Sequence, residues 1–323
     1  MKRDTSIQDV LFDVDQVPVE ALISANGQTR HIHIPGKKAL VNRRTGLVLG
    51  VVSRDYRVVT NLEAVSLAQE VCGKAFPGLS SVEWEAKRAS APRTLTYANI
   101  DLMHRTHVLN YMGSEIGTSD PYTPFLRVTN SFNGARALRF DIGFMREHCS
   151  NGVIFEEEVA TIKASHSKEA LAQLQIEITG RSLPQMWDEF SKFLTTVRSI
   201  SMTTDQSTLA LKTVLHLPDP KPEDRPARKE ALHALTADFA TRLTGYRQEL
   251  GENAYAVFNT LTDIAARPPE ITCFQTTRDT IERRSGRWLK DLARQSKLAD
   301  FDLDRWITDW EATGSSKSRP NAN

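Results

Sequence analysis

A chain of 323 residues with 40% hydrophobic content, 16 Gly and 14 Pro can bury an ordinary core of one large or two modest domains. Its 41 Lys and Arg against 40 Asp and Glu leave a formal charge of +1, which excludes a global field selecting nucleic acid or membrane. Three cysteines, Cys72, Cys149 and Cys273, show no CxxC spacing and exclude a readable disulfide framework or cysteine-rich zinc site. The acidic opening through Asp9, Asp13 and Asp15 contains no apolar h-region, and no apolar run approaches a membrane span, so a cytoplasmic protein without membrane contact is expected.

From about Thr29 to Ser165 the chain reads as short strands of period two, punctuated by Gly, Asn and Pro. His31 and His33 share one face of the first of these, the start of a two-ligand metal site, but no third ligand is identifiable and a solvated face is the favoured reading. Arg30, Lys37, Lys38, Arg43, Arg44, Arg54 and Arg57 follow, opposed by Asp55 alone, with Tyr56 among them. Such a segment can track phosphates and offer a stacking ring, although the same charges also solvate and protect the edge of the strand Leu47–Val52. The stretch Asn61–Glu70 predicts one inserted helix, with Asn61 as cap and Leu62, Val65 and Ala68 on the apolar stripe. A strand is expected over Val82–Arg88, with residues 82, 84 and 86 inward. Phe125–Phe132, the turn Asn133-Gly134, and the alternating Leu138, Phe140, Ile142 and Phe144 predict a β-hairpin. Asn130 shares parity with Leu126 and Val128, which places it on the buried face, where it must be hydrogen-bonded and is expected to clamp the 133–134 turn.

After Lys168 the period becomes helical, with the stripes Trp187, Phe190, Leu194, Val197; Leu232, Leu235, Phe239, Leu243; and Val257, Leu261, Ile264. Pro218, Pro220, Pro222 and Pro226 read as a loop between two helices. The expected architecture is therefore α+β: residues 1–167 a mostly antiparallel sheet region with an inserted helix, 168–313 a helical region packing on it, and 314–323 a flexible tail.

No phosphate-binding glycine loop, dinucleotide fingerprint, HExxH zinc motif or GxSxG elbow is present. His104 and His107 have helical ligand spacing, yet a surface location is favoured. His148 and Cys149 would point to opposite faces of a strand, and the run Glu156–Glu158 is favoured as solvated rather than metal-binding. No cofactor or metal is expected.

The sequences Val128–Gly134, Arg139-Phe140 and His148–Gly152 together resemble the phage/plasmid-like protein family, the domain of unknown function 932. Gly50–Asn61, Ile162–Ser167 and Ala254–Thr262 extend the resemblance over most of the chain, while His148 stands where that pattern has an apolar residue. The resemblance implies a gene of phages, plasmids or their bacterial hosts, and supplies no catalytic residues. Combined with the basic segment, it leads to the expectation of a DNA-binding protein, single strands favoured, acting in replication, recombination or annealing without covalent catalysis. Arg43, Arg44, Arg54 and Arg57, with Lys37 and Lys38, would meet phosphates, and Tyr56 would stack. The alternatives are a protein-interaction factor of a mobile element that counteracts host defence by binding a host or phage protein, favoured by an apolar patch around Trp288 or Trp306, and a metal-assisted nuclease built on Glu156–Glu158 with His148 or His166; an oligomer is possible.

Overall fold

The computed structural model describes residues 6–25, 28–76, 78–106, 108–112, 119–146, 152–154, 161–164, 183–269 and 278–314. After a single helical turn, α1 (Ile7–Val10), three antiparallel strands form a small sheet in the order β1 (Val14–Ala25), β2 (Gln28–Asn42) and β3 (Val48–Ser53). β3 covers β2 only from Lys37 to Val41. Beyond Gly36, which takes φ +77°, the β1–β2 pair runs on alone as a two-stranded ribbon whose residues are exposed or half-exposed. A bulge between Pro18 and Glu20 marks the place where the ribbon leaves the sheet. At the other end Phe12, Leu40, Leu49, Val52 and Phe132 make a small separate core.

Helix α2 (Asn61–Ala75) follows, capped by Thr60 rather than Asn61. Thr60 accepts from the Glu63 amide at 3.1 Å while the Glu63 carboxylate accepts from the Thr60 amide at 2.7 Å. Asn61 is buried instead, donating to the Val10 carbonyl at 2.8 Å, and Leu62 is exposed, so the buried stripe runs through Ala64, Val65, Ala68, Val71 and Cys72. Burial pushes the Cys72 thiol well above its usual range, which makes it a small hydrophobe.

Seven strands form the main sheet, all pairs antiparallel: β4 (Trp84–Ser90), β5 (Tyr97–His104), β6 (Leu109–Met112), β7 (Ser119–Ser131), β8 (Leu138–Arg146), β9 (Gly152–Ile154) and β10 (Thr161–Ala164). Their order is β10-β8-β7-β5-β4, with β6 on the far half of β7 and β9 on the far half of β8. The hairpin expected around Asn133-Gly134 joins β7 to β8, and Leu138, Phe140, Ile142 and Phe144 are all buried. The strand expected from Val82 starts later, because Ser81–Glu83 is a 3-10 turn that leaves Val82 exposed. A bulge between Ala86 and Arg88 then changes the parity, so Trp84 and Ala89 are the buried side chains of β4.

The second half is helical: α3 (Leu183–Ser199), α4 (Thr204–Leu215), α5 (Pro226–Leu250), α6 (Ala254–Ala266), α7 (Arg278–Gln295) and α8 (Leu303–Gly314). Pro226 does not sit in the separating loop but opens α5, where a missing amide costs nothing. The predicted stripes are buried except for Trp187, which is partly buried, and α6 is buried along its length from Ala254 to Ala265, packed by α3, α4, α5 and α7. Phe190 of α3 stacks on Phe144 of β8 at 4.8 Å and meets Tyr122 edge-on at 5.2 Å. One continuous core therefore runs from α2 and the main sheet through the helices. Trp288 is fully buried in it and Trp306 is partly buried against it. The expected boundary at 167 lies outside the described residues, as do 315–323 of the tail.

Candidate nucleic-acid interface

The basic segment is divided by the fold. Arg43 and Arg44 occupy the tight β2–β3 turn, where Asn42 Oδ1 accepts from the Arg44 amide at 2.9 Å and the Thr45 amide at 3.2 Å. There Arg43 pairs with Asp15 at 2.7 Å and Asp13 at 3.1 Å, which raises its pKa, and Arg44 reaches Asp9 at 3.5 Å. The linear charge count of the segment left out these three carboxylates, which the fold brings back to it. Lys37 lies at the opposite end of the β2–β3 ladder, about 20 Å away at strand rise.

At that opposite end the other predicted residues are joined by a different part of the sheet. Lys37 pairs with Ser53, and the Arg54 amide donates to the Gly36 carbonyl at 2.9 Å, so Lys37 and Arg54 are neighbours and both are exposed. Lys38 Nζ donates to the Tyr56 carbonyl at 2.7 Å. The Tyr56 hydroxyl donates to the Ser131 carbonyl at 2.8 Å, and burial pushes its pKa up, so this side chain ties the small sheet to the main one. Gly50 completes the joint: a Cβ there would stand 2.7 Å from the Asn133 backbone. The Asn133-Gly134 motif thus carries structural work, with Asn133 Oδ1 accepting from the Ala135 amide at 3.0 Å and Gly134 at φ +71°. Asn130 is buried as expected, but it clamps α2 and not the turn, donating to the Val59 carbonyl at 2.8 Å and Asn61 Oδ1 at 2.9 Å.

The joint also gathers cations that lie far away in sequence. The 132–137 loop carries Arg136, whose guanidinium carbon lies 3.9 Å over the centroid of Tyr97. Tyr97 is opposite Ser131 in the ladder, and the Phe132 amide donates to the Thr96 carbonyl at 2.8 Å, which locks this loop to the β4–β5 turn. That turn exposes Arg93 and contains Leu95 at φ +52°, a conformation that a leucine adopts only when packing holds it, here against the small core beside Tyr56. Lys37, Lys38, Arg54, Arg57, Arg93 and Arg136 therefore belong to one end of the molecule, and the segments that carry them hold a single carboxylate, Asp55. Arg136 was not among the predicted contact residues; only the register of β5 against β7 reveals that it joins the group.

In the main sheet, charges pair with one another. Across the main sheet Arg88, Asp101, Arg127 and Asp141 stand opposite in register on β4, β5, β7 and β8, alternating in sign. Arg127 is bidentate to Asp101 at 2.6 and 2.9 Å and reaches Glu282 of α7 at 2.7 Å. Burial alone would disfavour its charge, but the two carboxylates outweigh that and raise its pKa. A second buried cluster joins Asp120 to Arg146 at 2.6 Å and to Arg198 and Tyr122, with Tyr122 hydrogen-bonded to Tyr255. His104, expected at the surface, is buried against Trp84, with Glu83 at 3.2 Å. His31 and His33 do share an exposed face, and His31 lies 3.2 Å from Glu20, but no group of three metal-ligating side chains converges among the described residues. His107, His148, Cys149, Glu156–Glu158 and His166 lie outside the described residues. No helix among the described residues is long and apolar enough to cross a membrane.

A family model described as a domain of unknown function, DUF932, matches residues 48–294. The chain belongs to the DUF932 family. That match begins at β3 and ends within α7, so it takes in the joint, the buried ion pairs and the helical core, while the β1–β2 ribbon precedes it. No curated protein and no solved structure matches this DUF932 chain.

Proposed function

We propose that the protein binds nucleic acid through the end of the molecule where the two sheets meet, acting in DNA replication, recombination or annealing of a phage or plasmid without covalent catalysis. The observation that supports this reading is the gathering of Lys37, Arg54, Arg57, Arg93 and Arg136 from four separate segments, whose own sequence includes one carboxylate, Asp55, in a molecule whose formal charge is only +1. Cations grouped on one surface neutralise neighbouring phosphates and release counterions, which a neutral net charge does not prevent. Arg43 and Arg44 fall outside this surface because aspartates already neutralise them.

The test is equilibrium binding of labelled DNA across a salt series. Replacing Arg54 and Arg57 together by Ala should weaken binding and reduce the slope of log K against log[salt] by about 1.4 to 1.8, one increment for each phosphate that is no longer neutralised. Replacing Arg43 and Arg44 should leave the slope unchanged. Absence of salt-dependent binding by the wild type, or equal effects of the two pairs, would overturn the proposal.

A further inference from the structure

Beyond Gly36 the β1–β2 ribbon stands clear of both cores, and its register sorts its side chains onto two unlike faces. One face carries Glu20, Leu22, Ser24, Thr29, His31 and His33 and is closed on itself, with Ser24 Oγ 3.2 Å from Thr29 Oγ1 and His31 Nδ1 3.2 Å from Glu20 Oε2. The other carries Ala21, Ile23, Gln28, Arg30 and Ile32. There Ile23 and Ile32 are 49% and 47% exposed, and Gln28 and Arg30 are exposed as well. Among the described residues neither Gln28 nor Arg30 has a hydrogen-bond or ion-pair partner. The chain contains no carboxylate from Ala21 to Arg54. The ribbon also springs from the basic end, because the Gly36 carbonyl at its root accepts from the Arg54 amide at 2.9 Å and Lys37 follows directly.

Two strands about 4.8 Å apart, with side chains on both faces, are too broad for the minor groove of duplex DNA, about 6 Å wide, but fit its major groove, about 12 Å wide. From Glu20 to Ala25 the ribbon is about 17 Å long at strand rise, the length of about five base-pair steps. The side chains of the carboxylate-free face match what that groove displays: a guanidinium donates in pairs to guanine, a carboxamide pairs with adenine, and aliphatic groups meet the methyl of thymine. We infer that the ribbon is an arm that lies in the major groove of duplex DNA, with Gln28 and Arg30 against base edges, Ile23 and Ile32 against thymine methyls, and Lys37 and Arg54 at its root against flanking phosphates. The arm rests on the nucleic-acid reading above and adds to it a duplex and a groove.

Glu20 and His33 stand opposite in register, so Ala21–Ile32 can be replaced by the two-residue turn Asn-Gly without touching either core. Thermal melting confirms that the shortened chain is folded, and Arg30→Ala, at an exposed position, repeats the test without altering the backbone. The probe is the labelled duplex that the wild type selects from a random-sequence pool, titrated across a salt series and treated in the complex with dimethyl sulfate, which methylates guanine N7 in the major groove. The wild type should shield guanine N7. The shortened chain should leave it open and bind about tenfold or more weakly, and Arg30→Ala should bind about fivefold or more weakly, the scale of one lost base contact, while the salt slope set by Lys37 and Arg54 persists. Equal, salt-dependent binding by the shortened chain, or guanine N7 left open by the wild type, would overturn the arm and leave phosphate binding at the basic end standing. A wild type that sediments as a dimer without DNA, beside a shortened chain that sediments as a monomer, would also overturn it, since a second copy then takes the ribbon. Absence of salt-dependent binding by the wild type would overturn both readings.

Discussion

At the joint between the sheets single atoms decide stability. Gly50→Ala places a methyl group against the Asn133 backbone, which has no side-chain freedom with which to move away, and should cost about 1–3 kcal/mol in denaturant unfolding. Asn130→Ala removes two hydrogen bonds and leaves the Val59 carbonyl and Asn61 Oδ1 without that donor in a buried place; a loss of about 1–3 kcal/mol is expected, with no effect on DNA binding measured below the melting range. The burial of Asn130 is legible in its parity with Leu126 and Val128. Its partner is not, because Asn61 is 69 residues away in sequence and becomes a neighbour only when α2 lies on β7. The anchor of Tyr56 is hidden for the same reason: Ser131, whose carbonyl takes its hydroxyl, is 75 residues on.

At the scale of elements, alternation reveals which strands exist but not what stands beside them. Leu138 to Phe144 can be recognised as a strand from period two, whereas the row Arg88, Asp101, Arg127, Asp141 depends on the register of four strands, which no single segment encodes. Such a row is more costly to break than to replace. Arg127→Met should lower stability by about 3–5 kcal/mol, since it leaves Asp101 buried and unpaired, and Arg127→Met combined with Asp101→Leu should recover part of that loss. The tyrosine pair gives the helix–sheet contact a pH dependence. Burial first, then Tyr255 and Asp120, hold the Tyr122 hydroxyl well above its ordinary value of 10, and burial raises Tyr255 as well. Because the unfolded chain releases these protons first, their contribution is complete below about pH 10 and declines as pH rises from there toward the folded values. Melting temperature should therefore fall on the alkaline side, and Tyr255→Phe should flatten that decline.

At the scale of the whole molecule, the change from strands to helices along the chain is visible in the period of its apolar residues, and the α+β architecture follows from it. The charge distribution is not visible in the same way. Counting from Arg30 to Arg57 suggests one basic surface, but the fold returns Asp9, Asp13 and Asp15 to Arg43 and Arg44 and brings Arg93 and Arg136 to the other end. Part of the apparent patch is thereby cancelled and the remainder enlarged, while the net charge stays at +1.

The ribbon formed by β1 and β2 beyond Gly36 gives the protein two scales of stability. Its residues from Gln28 to His33 are exposed, and it touches neither the large core nor the small one, so its hydrogen bonds can open without anything else unfolding. Its amides should exchange with deuterium orders of magnitude faster than those of β7 and α6, and a protease should nick it while the rest of the chain stays folded and cooperative. The ribbon is thus a limb whose order can be lost and regained on its own, and its exchange rate is a direct gauge of anything that grips it.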